Sequence, residues 1–246
     1  MSETLNNIWL NFKDQFILNF IKDDRWQYLT KGLKNTLIIT FISLIIGIAI
    51  GVIISVVRSS YDKNYSEMRP SLGKTLLAAA NRICSLYLTI IRGTPAVVQL
   101  MIMYFVIFAS SDNPVMVAAL TFGINSGAYV AEIFRSGIMS IDVGQMEAGR
   151  SLGFNYVQTM WHIIIPQAFK NVLPALANEF ITLLKETSVA GYVGVWDLTK
   201  GGDIIRSRTY SAFMPLIAVA LIYLILVIIL TKLVGLLEKK LRSSDH

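Results

Sequence analysis

The sequence predicts an all-α integral membrane protein of about five transmembrane helices. Three observations carry that expectation. Of the 246 residues, 54% are hydrophobic and only 15% are charged, against about 25% charged in soluble domains; mean hydropathy is +0.57. Residues 36–57 form an apolar run with no charge, and 212–237 a second run carrying one lysine. Each is long enough to cross about 30 Å of hydrocarbon at 1.5 Å per residue. Between them lie further apolar segments at 76–110, 114–134 and 172–196, separated by short polar stretches.

The same inventory excludes several classes. No Gly-x4-Gly-Lys-Ser/Thr loop is present, so the chain holds no nucleotide site of that kind, and its length leaves no room for a second catalytic domain. No Ser-His-Asp set, His-Glu-x-x-His motif or pair of buried carboxylates is apparent. Cys84 is alone and His162 and His246 are the only histidines, so neither an intrachain disulfide nor a Cys- or His-based metal site is expected. The net charge of +6 and pI of about 9.4 come from basic residues flanking apolar runs. There lipid headgroups and positive-inside orientation account for them, rather than nucleic acid. The first long apolar run begins near Thr36 and has full span length, which reads as a retained span and not a cleavable signal.

Taken in order, 1–31 is an N-terminal amphipathic segment. Leu5, Ile8, Trp9, Phe12, Phe16 and Phe20 recur at helical spacing, with Trp26 and Tyr28 beyond. A helix in the membrane interface and a helix packed on protein both fit. Asn35 or Thr36 is placed to cap the first span, and Gly47 and Gly51, four apart, leave room for a neighbouring helix. A basic connector, Arg58 to Lys74, leads to a long second span that Pro95 should kink. The third span carries Gly123, Ser126, Gly127 and Ala128 and closes on Glu132 and Arg135, which are placed to pair. The fourth is interrupted by Asn178, Glu179, Lys185 and Glu186, so it must face protein or a wet cavity. A polar loop, 197–210, precedes the fifth span, and 238–246 is a basic tail.

The segment between the third and fourth spans, about 136–170, looks built to be gripped. Glu147 and Arg150 share a helical face; Ala148, Gly149 and Gly153 are small; Pro166 marks a break. With Ile163 and Ile165, these residues resemble the loop signature of permease subunits of ABC importers (Glu-Ala-Ala, three residues, Gly, nine residues, Ile, one residue, Leu, Pro). Gly149 stands in place of the second Ala and Ile165 in place of Leu. Other stretches resemble the polar amino acid branch of that family: Arg92-Gly93-Thr94-Pro95 with Gln99-Leu100, then Ala128 to Ile138, and then Asn178-Glu179-Phe180 with Lys185-Glu186-Thr187-Ser188.

The resemblance implies the type-1 ABC importer permease fold over 32–237, and a short helix in the Glu147–Pro166 loop that docks on a cytoplasmic ATPase. It also implies a second permease subunit, an extracytoplasmic binding protein and a polar amino acid substrate. ATP and Mg would be bound by the partner ATPase, with no cofactor in this chain. The localisation implied is the cell membrane, with the N-terminus outside and the C-terminus cytoplasmic; a modest excess of Lys and Arg on the loop's side agrees. Candidate pathway residues are Arg92, Glu132, Asn178 and Glu179. Arg92 either meets a substrate carboxylate or anchors the span. Glu132 with Arg135 is a gate or a structural pair. Asn178 and Glu179 line a substrate route or bond a neighbouring span or subunit. Two rival functions remain at this level: an ion-gradient-driven transporter, against which the lack of an internal repeat of spans counts, and a membrane scaffold.

Overall fold

In a membrane every backbone polar group must be satisfied within the segment, and the chain answers with helices throughout. The computed structural model describes residues 10–66 and 68–242, and among these no strand occurs. Helix α1 (10–16) runs into a π-helical turn, Ile17–Ile21, and a short 3-10 turn, Lys22–Asp24. Then follow α2 (Trp26–Asn64), α3 (Leu72–Gly93), α4 (Ala96–Ile102, prolonged by a π turn, Met103–Ile107) and α5 (Pro114–Met139). The elbow consists of α6 (Val143–Ser151) and α7 (Tyr156–Thr159, prolonged by a π turn, Met160–Ile164). The chain ends with α8 (Ile165–Glu186), a 3-10 stretch Thr187–Val193, α9 (Leu198–Thr209) and α10 (Phe213–Arg242).

The central pair is α2 against α5, and small residues bring it together. A Cβ built on Gly51 would stand 2.6 Å from Val130 Cγ1 and 2.8 Å from the Ala131 nitrogen; one on Gly123 would stand 2.7 Å from Ile46 Cβ. Neither contact leaves room for a methyl. Ser43 donates from its hydroxyl to the Ala119 carbonyl at 2.9 Å across the same seam. Around this pair Ile39, Leu100, Phe122, Leu183, Val193 and Val195 form the main core, and α8 and α10 close one side.

α2, α5 and α10 are each long and apolar enough to cross a membrane, and α3 with α4 pass the same measure only as a pair. That pair is bent by 107° at Thr94–Pro95, far more than the kink the proline alone suggests. Gln99 stitches the break. Its amide donates to the carbonyls of Ile91 (2.8 Å) and Thr94 (3.1 Å) and to Thr94 Oγ1 (2.8 Å), while its oxygen accepts from Asn125 Nδ2 of α5 (3.0 Å). α8 is not among the helices that pass on hydropathy, as expected of a helix interrupted by Asn178, Glu179, Lys185 and Glu186.

Three readings of the sequence change. The stretch 197–210 is not a loop but contains α9, whose N-cap Asp197 accepts from Lys200 N at 2.9 Å and Thr199 N at 3.1 Å. Asn35 and Thr36 do not cap the first span, because α2 starts at Trp26. They hold the start of α9 instead: Asn35 Nδ2 donates to the Trp196 carbonyl at 2.8 Å, and Thr36 Oγ1 accepts from Leu198 N at 3.0 Å. The N-terminal segment packs on protein along one side. Asn19 and Phe20 are buried against α9, with Asn19 Oδ1 accepting from Thr209 Oγ1 at 2.8 Å, while Phe12, Phe16, Ile17 and Ile21 are exposed. Leu5, Ile8 and Trp9 of that stripe lie outside the described residues.

Candidate functional site

The elbow is built by its own short-range chemistry. Asp142 caps α6 by accepting from Gly144 N at 2.6 Å. Its C-terminus closes with Gly153 N bonded to Arg150 O (3.0 Å) and Phe154 N to Gly149 O (3.1 Å). Gly153 sits there at φ +88°, a left-handed position suited to glycine. Asn155 and Gln158 form a reciprocal capping box on α7, both bonds at 2.9 Å. A π turn carries the chain into α8, whose first turn accommodates Pro166, where no N–H is required.

The motif residues divide into two groups. Gly149 is the one buried residue of α6, and Ile163 is half-buried against it. Glu147, Ala148, Arg150, Gly153 and Pro166 are exposed. The exposed side also carries large apolar groups: Leu152 at 76%, Val157 at 71% and Trp161 at 68%. Val157 and Trp161 are four apart and project along one side of the elbow. These three share the elbow with the motif residues without being part of the motif, and their exposure is something a sequence does not display.

The second feature is an open cleft of about 520 Å³ lined by Arg92, Tyr129, Glu132, Ser136, Asn171 and Glu179, among others. The structure thus brings together three of the four candidate pathway residues. Asn178 is not part of the lining; its amide turns back to the Pro174 carbonyl at 3.1 Å. The Arg92 guanidinium lies 5.8 Å from the Tyr129 ring centre. Glu179 accepts from the buried Ser126 hydroxyl at 2.7 Å. Glu132 pairs with Arg135 at 3.5 Å, and Arg135 also reaches Asp62 at 3.6 Å. The cleft therefore presents a cation and two carboxylates on three different helices. Among the described residues no cluster suited to a metal ion occurs.

Residues 75–243 match the family described as the binding-protein-dependent transport system inner membrane component. The arginine transport system permease protein ArtQ of Bacillus subtilis (strain 168) is 42% identical over 166 residues, covering 66% of this chain and 76% of that protein. The glutamine transport system permease protein GlnP of Escherichia coli (strain K12) is 38% identical over 167 residues, with the same coverages of 66% and 76%. A crystal structure of an amino acid ABC transporter with histidines superposes with TM-score 0.76 and 38% identity, covering 87% of this chain and 94% of that one. An inward-facing MetNI methionine ABC transporter matches with TM-score 0.72 and 21% identity over 88% of this chain and 97% of that one, a likeness of fold. The chain belongs to the family of binding-protein-dependent transport system inner membrane components: it is a multi-pass, non-catalytic permease subunit of an ABC importer with the type-1 fold, in which a separate subunit hydrolyses ATP.

Proposed function

We propose that this permease imports polar amino acids, works as a dimer with a second permease chain, and couples to its ATPase through the Glu147–Pro166 elbow. The observation that carries the coupling reading is the elbow's outer side. A self-capped helical unit displays Leu152, Val157 and Trp161 to solvent beside Glu147 and Arg150. Exposed aromatic and aliphatic anchors ringed by charge are what a protein partner buries. The amino acid class is supported by the relatives' names and by the charges of the cleft.

In this reading the elbow, the α2–α3 connector and the C-terminus are cytoplasmic and the N-terminus is outside. ATP and Mg belong to the partner ATPase. A loaded binding protein docks outside, ATP-driven closure of the ATPase pair displaces the elbow, and the cavity between two permeases changes the side to which it opens. Arg92 attracts the substrate carboxylate, Glu179 faces its ammonium, Glu132 borders the inner end, and Asn178 is offered to the second chain.

The test is a pull-down of detergent-solubilised permease with its ATPase, comparing wild type with Glu147→Arg plus Trp161→Ala. Capture by wild type and loss in a variant that stays monodisperse is the expected result. Equal capture by both removes the elbow from the interface.

A further inference from the structure

On the inner seam of the elbow, Gly149 leaves no room for a side chain. A Cβ built on Gly149 would stand 2.5 Å from Thr159 Cγ2 and 3.0 Å from both Thr159 Oγ1 and Ile163 Cδ1. Thr159 is completely buried although it belongs to a four-residue helix whose other residues are exposed. Its hydroxyl is occupied in donating to the Asn155 carbonyl at 3.0 Å. That bond fixes the rotamer and turns the methyl toward α6. Thr159 is also the last residue before the π turn Met160–Ile164, an irregularity of the kind frequently found at functional sites. Gly149 lies two residues before the end of α6, and its carbonyl accepts the closing bond from Phe154 N. The two short helices thus meet where Gly149 faces the Thr159 methyl, next to the π turn that leads into α8.

We propose that Thr159 is the positioning residue of the coupling elbow. Its methyl fills the space left by the absent side chain of Gly149 and locks α6 to α7, so that force applied to the exposed side reaches α8 rather than being absorbed between the two helices. The proposal rests on the coupling reading above and adds the element that makes the elbow rigid. Shape is what matters here, not the hydroxyl as such. Thr159→Val keeps a methyl facing Gly149. Thr159→Ser keeps the hydroxyl bond to Asn155 and deletes the methyl. Gly149→Ala adds a methyl where there is no room; Thr159→Ser in the same chain removes the nearest atom it would meet and leaves the hydroxyl and Ile163 Cδ1, each at 3.0 Å, to give by a few tenths of an ångström.

The experiment uses the permease reconstituted with its ATPase and binding protein, and reads uptake of radiolabelled arginine or glutamine per ATP hydrolysed. Thr159→Ser and Gly149→Ala are each expected to lower uptake per ATP about tenfold, within the range that a displacement of about 1 Å produces. ATPase capture in the pull-down should be retained. Thr159→Val should stay near wild type, and Gly149→Ala combined with Thr159→Ser should regain most of the loss. Thr159→Ser transporting normally, Thr159→Val failing as badly as Thr159→Ser, or no recovery in the double variant overturns the proposal. Failure of the coupling reading is seen separately, as wild-type permease that captures no ATPase. The thermal stability of the isolated permease then still reports whether the double variant repairs the seam that Gly149→Ala alone disrupts.

Discussion

Ser126 on α5 donates its hydroxyl to Glu179 Oε1 on α8 at 2.7 Å, so the carboxylate on the wall of the cleft is held from behind by a buried neighbour. The same serine lies 2.9 Å from the point where a Cβ on Gly47 would stand. One small residue therefore links three helices, and the orientation of Glu179 depends on the closeness of the α2–α5 seam.

Removing the donor and removing the charge should have different effects. Ser126→Ala leaves one carboxylate oxygen without its partner and should cost about 1–2 kcal/mol of stability, read as a lower melting temperature in detergent, with uptake reduced in proportion. Glu179→Gln keeps an acceptor for Ser126 and should melt near wild type while changing the concentration dependence or selectivity of amino acid uptake. Glu179→Gln with unchanged kinetics and selectivity would place Glu179 in a structural role and leave Arg92 as the charge that acts on substrate.

The α2–α5 seam gives a second prediction. At Gly51 an added methyl would meet Val130 Cγ1 at 2.6 Å and backbone at 2.8 Å, and backbone cannot rotate away. Gly51→Leu should destabilise the bundle by about 1–3 kcal/mol or more. Gly235 on α10 has nothing within 4 Å of its own built Cβ, so Gly235→Leu should be neutral. Equal melting temperatures for the two variants would mean that the glycines of α2 do not set the helix spacing.

These contacts show what a sequence of this kind displays and what it hides. The Gly47/Gly51 step announces a close approach, and the uncharged runs announce spans, because both are local patterns imposed by the bilayer. The partners of that step on α5, Ser126 and Gly127 opposite Gly47 and Val130 and Ala131 opposite Gly51, are not singled out by any local pattern. α9 was masked by its own polarity: Lys200, Asp203, Arg206 and Arg208 read as loop. Yet Asp197 is a good N-cap, and Leu198 and Ile205, seven apart, form one buried face. The motif at 147–166 gave the position of the elbow without its sidedness. That Gly149 faces inward and Trp161 outward depends on the turn at Gly153 and on the π turn, which residue spacing does not encode.

Two carboxylates of the α9 segment should leave opposite marks on pH dependence. Burial is the main influence on Asp197 and pushes its carboxyl up from 3.8, against the backbone donors of Lys200 and Thr199 that pull it down. Its folded form prefers the proton, so this contribution is fully present below about 3.8 and is lost as pH rises through the raised value. Asp203 is held below 3.8, first by Arg206 and then by Lys200, with contacts of 2.5 and 3.1 Å. Its contribution is present above 3.8 and is lost as pH falls through the lowered value. Asp197→Asn should therefore flatten the melting profile on the side above about 3.8, and Asp203→Asn on the side below it. The same flattening from both variants would show that the two groups share one environment.

The last prediction concerns the first span. At 39 residues, α2 extends about 58 Å, nearly twice the hydrocarbon thickness of about 30 Å, and its overhang is clipped at two points. Asp62 meets Arg135 of α5 at 3.6 Å, and the Lys63 ammonium lies 5.7 Å from the centre of the Tyr156 ring on α7. Both contacts are partly exposed, so each should contribute less than about 1 kcal/mol and weaken with salt. Asp62→Asn with Lys63→Gln should scarcely change the melting temperature. If the overhang carries elbow movement into the α2–α5 pair, that variant should nonetheless lose uptake per ATP several-fold, and high salt should produce part of the same loss in wild type. Normal uptake per ATP in the double variant would mean that the elbow drives α8 and α5 directly, with α2 as the fixed post against which they turn.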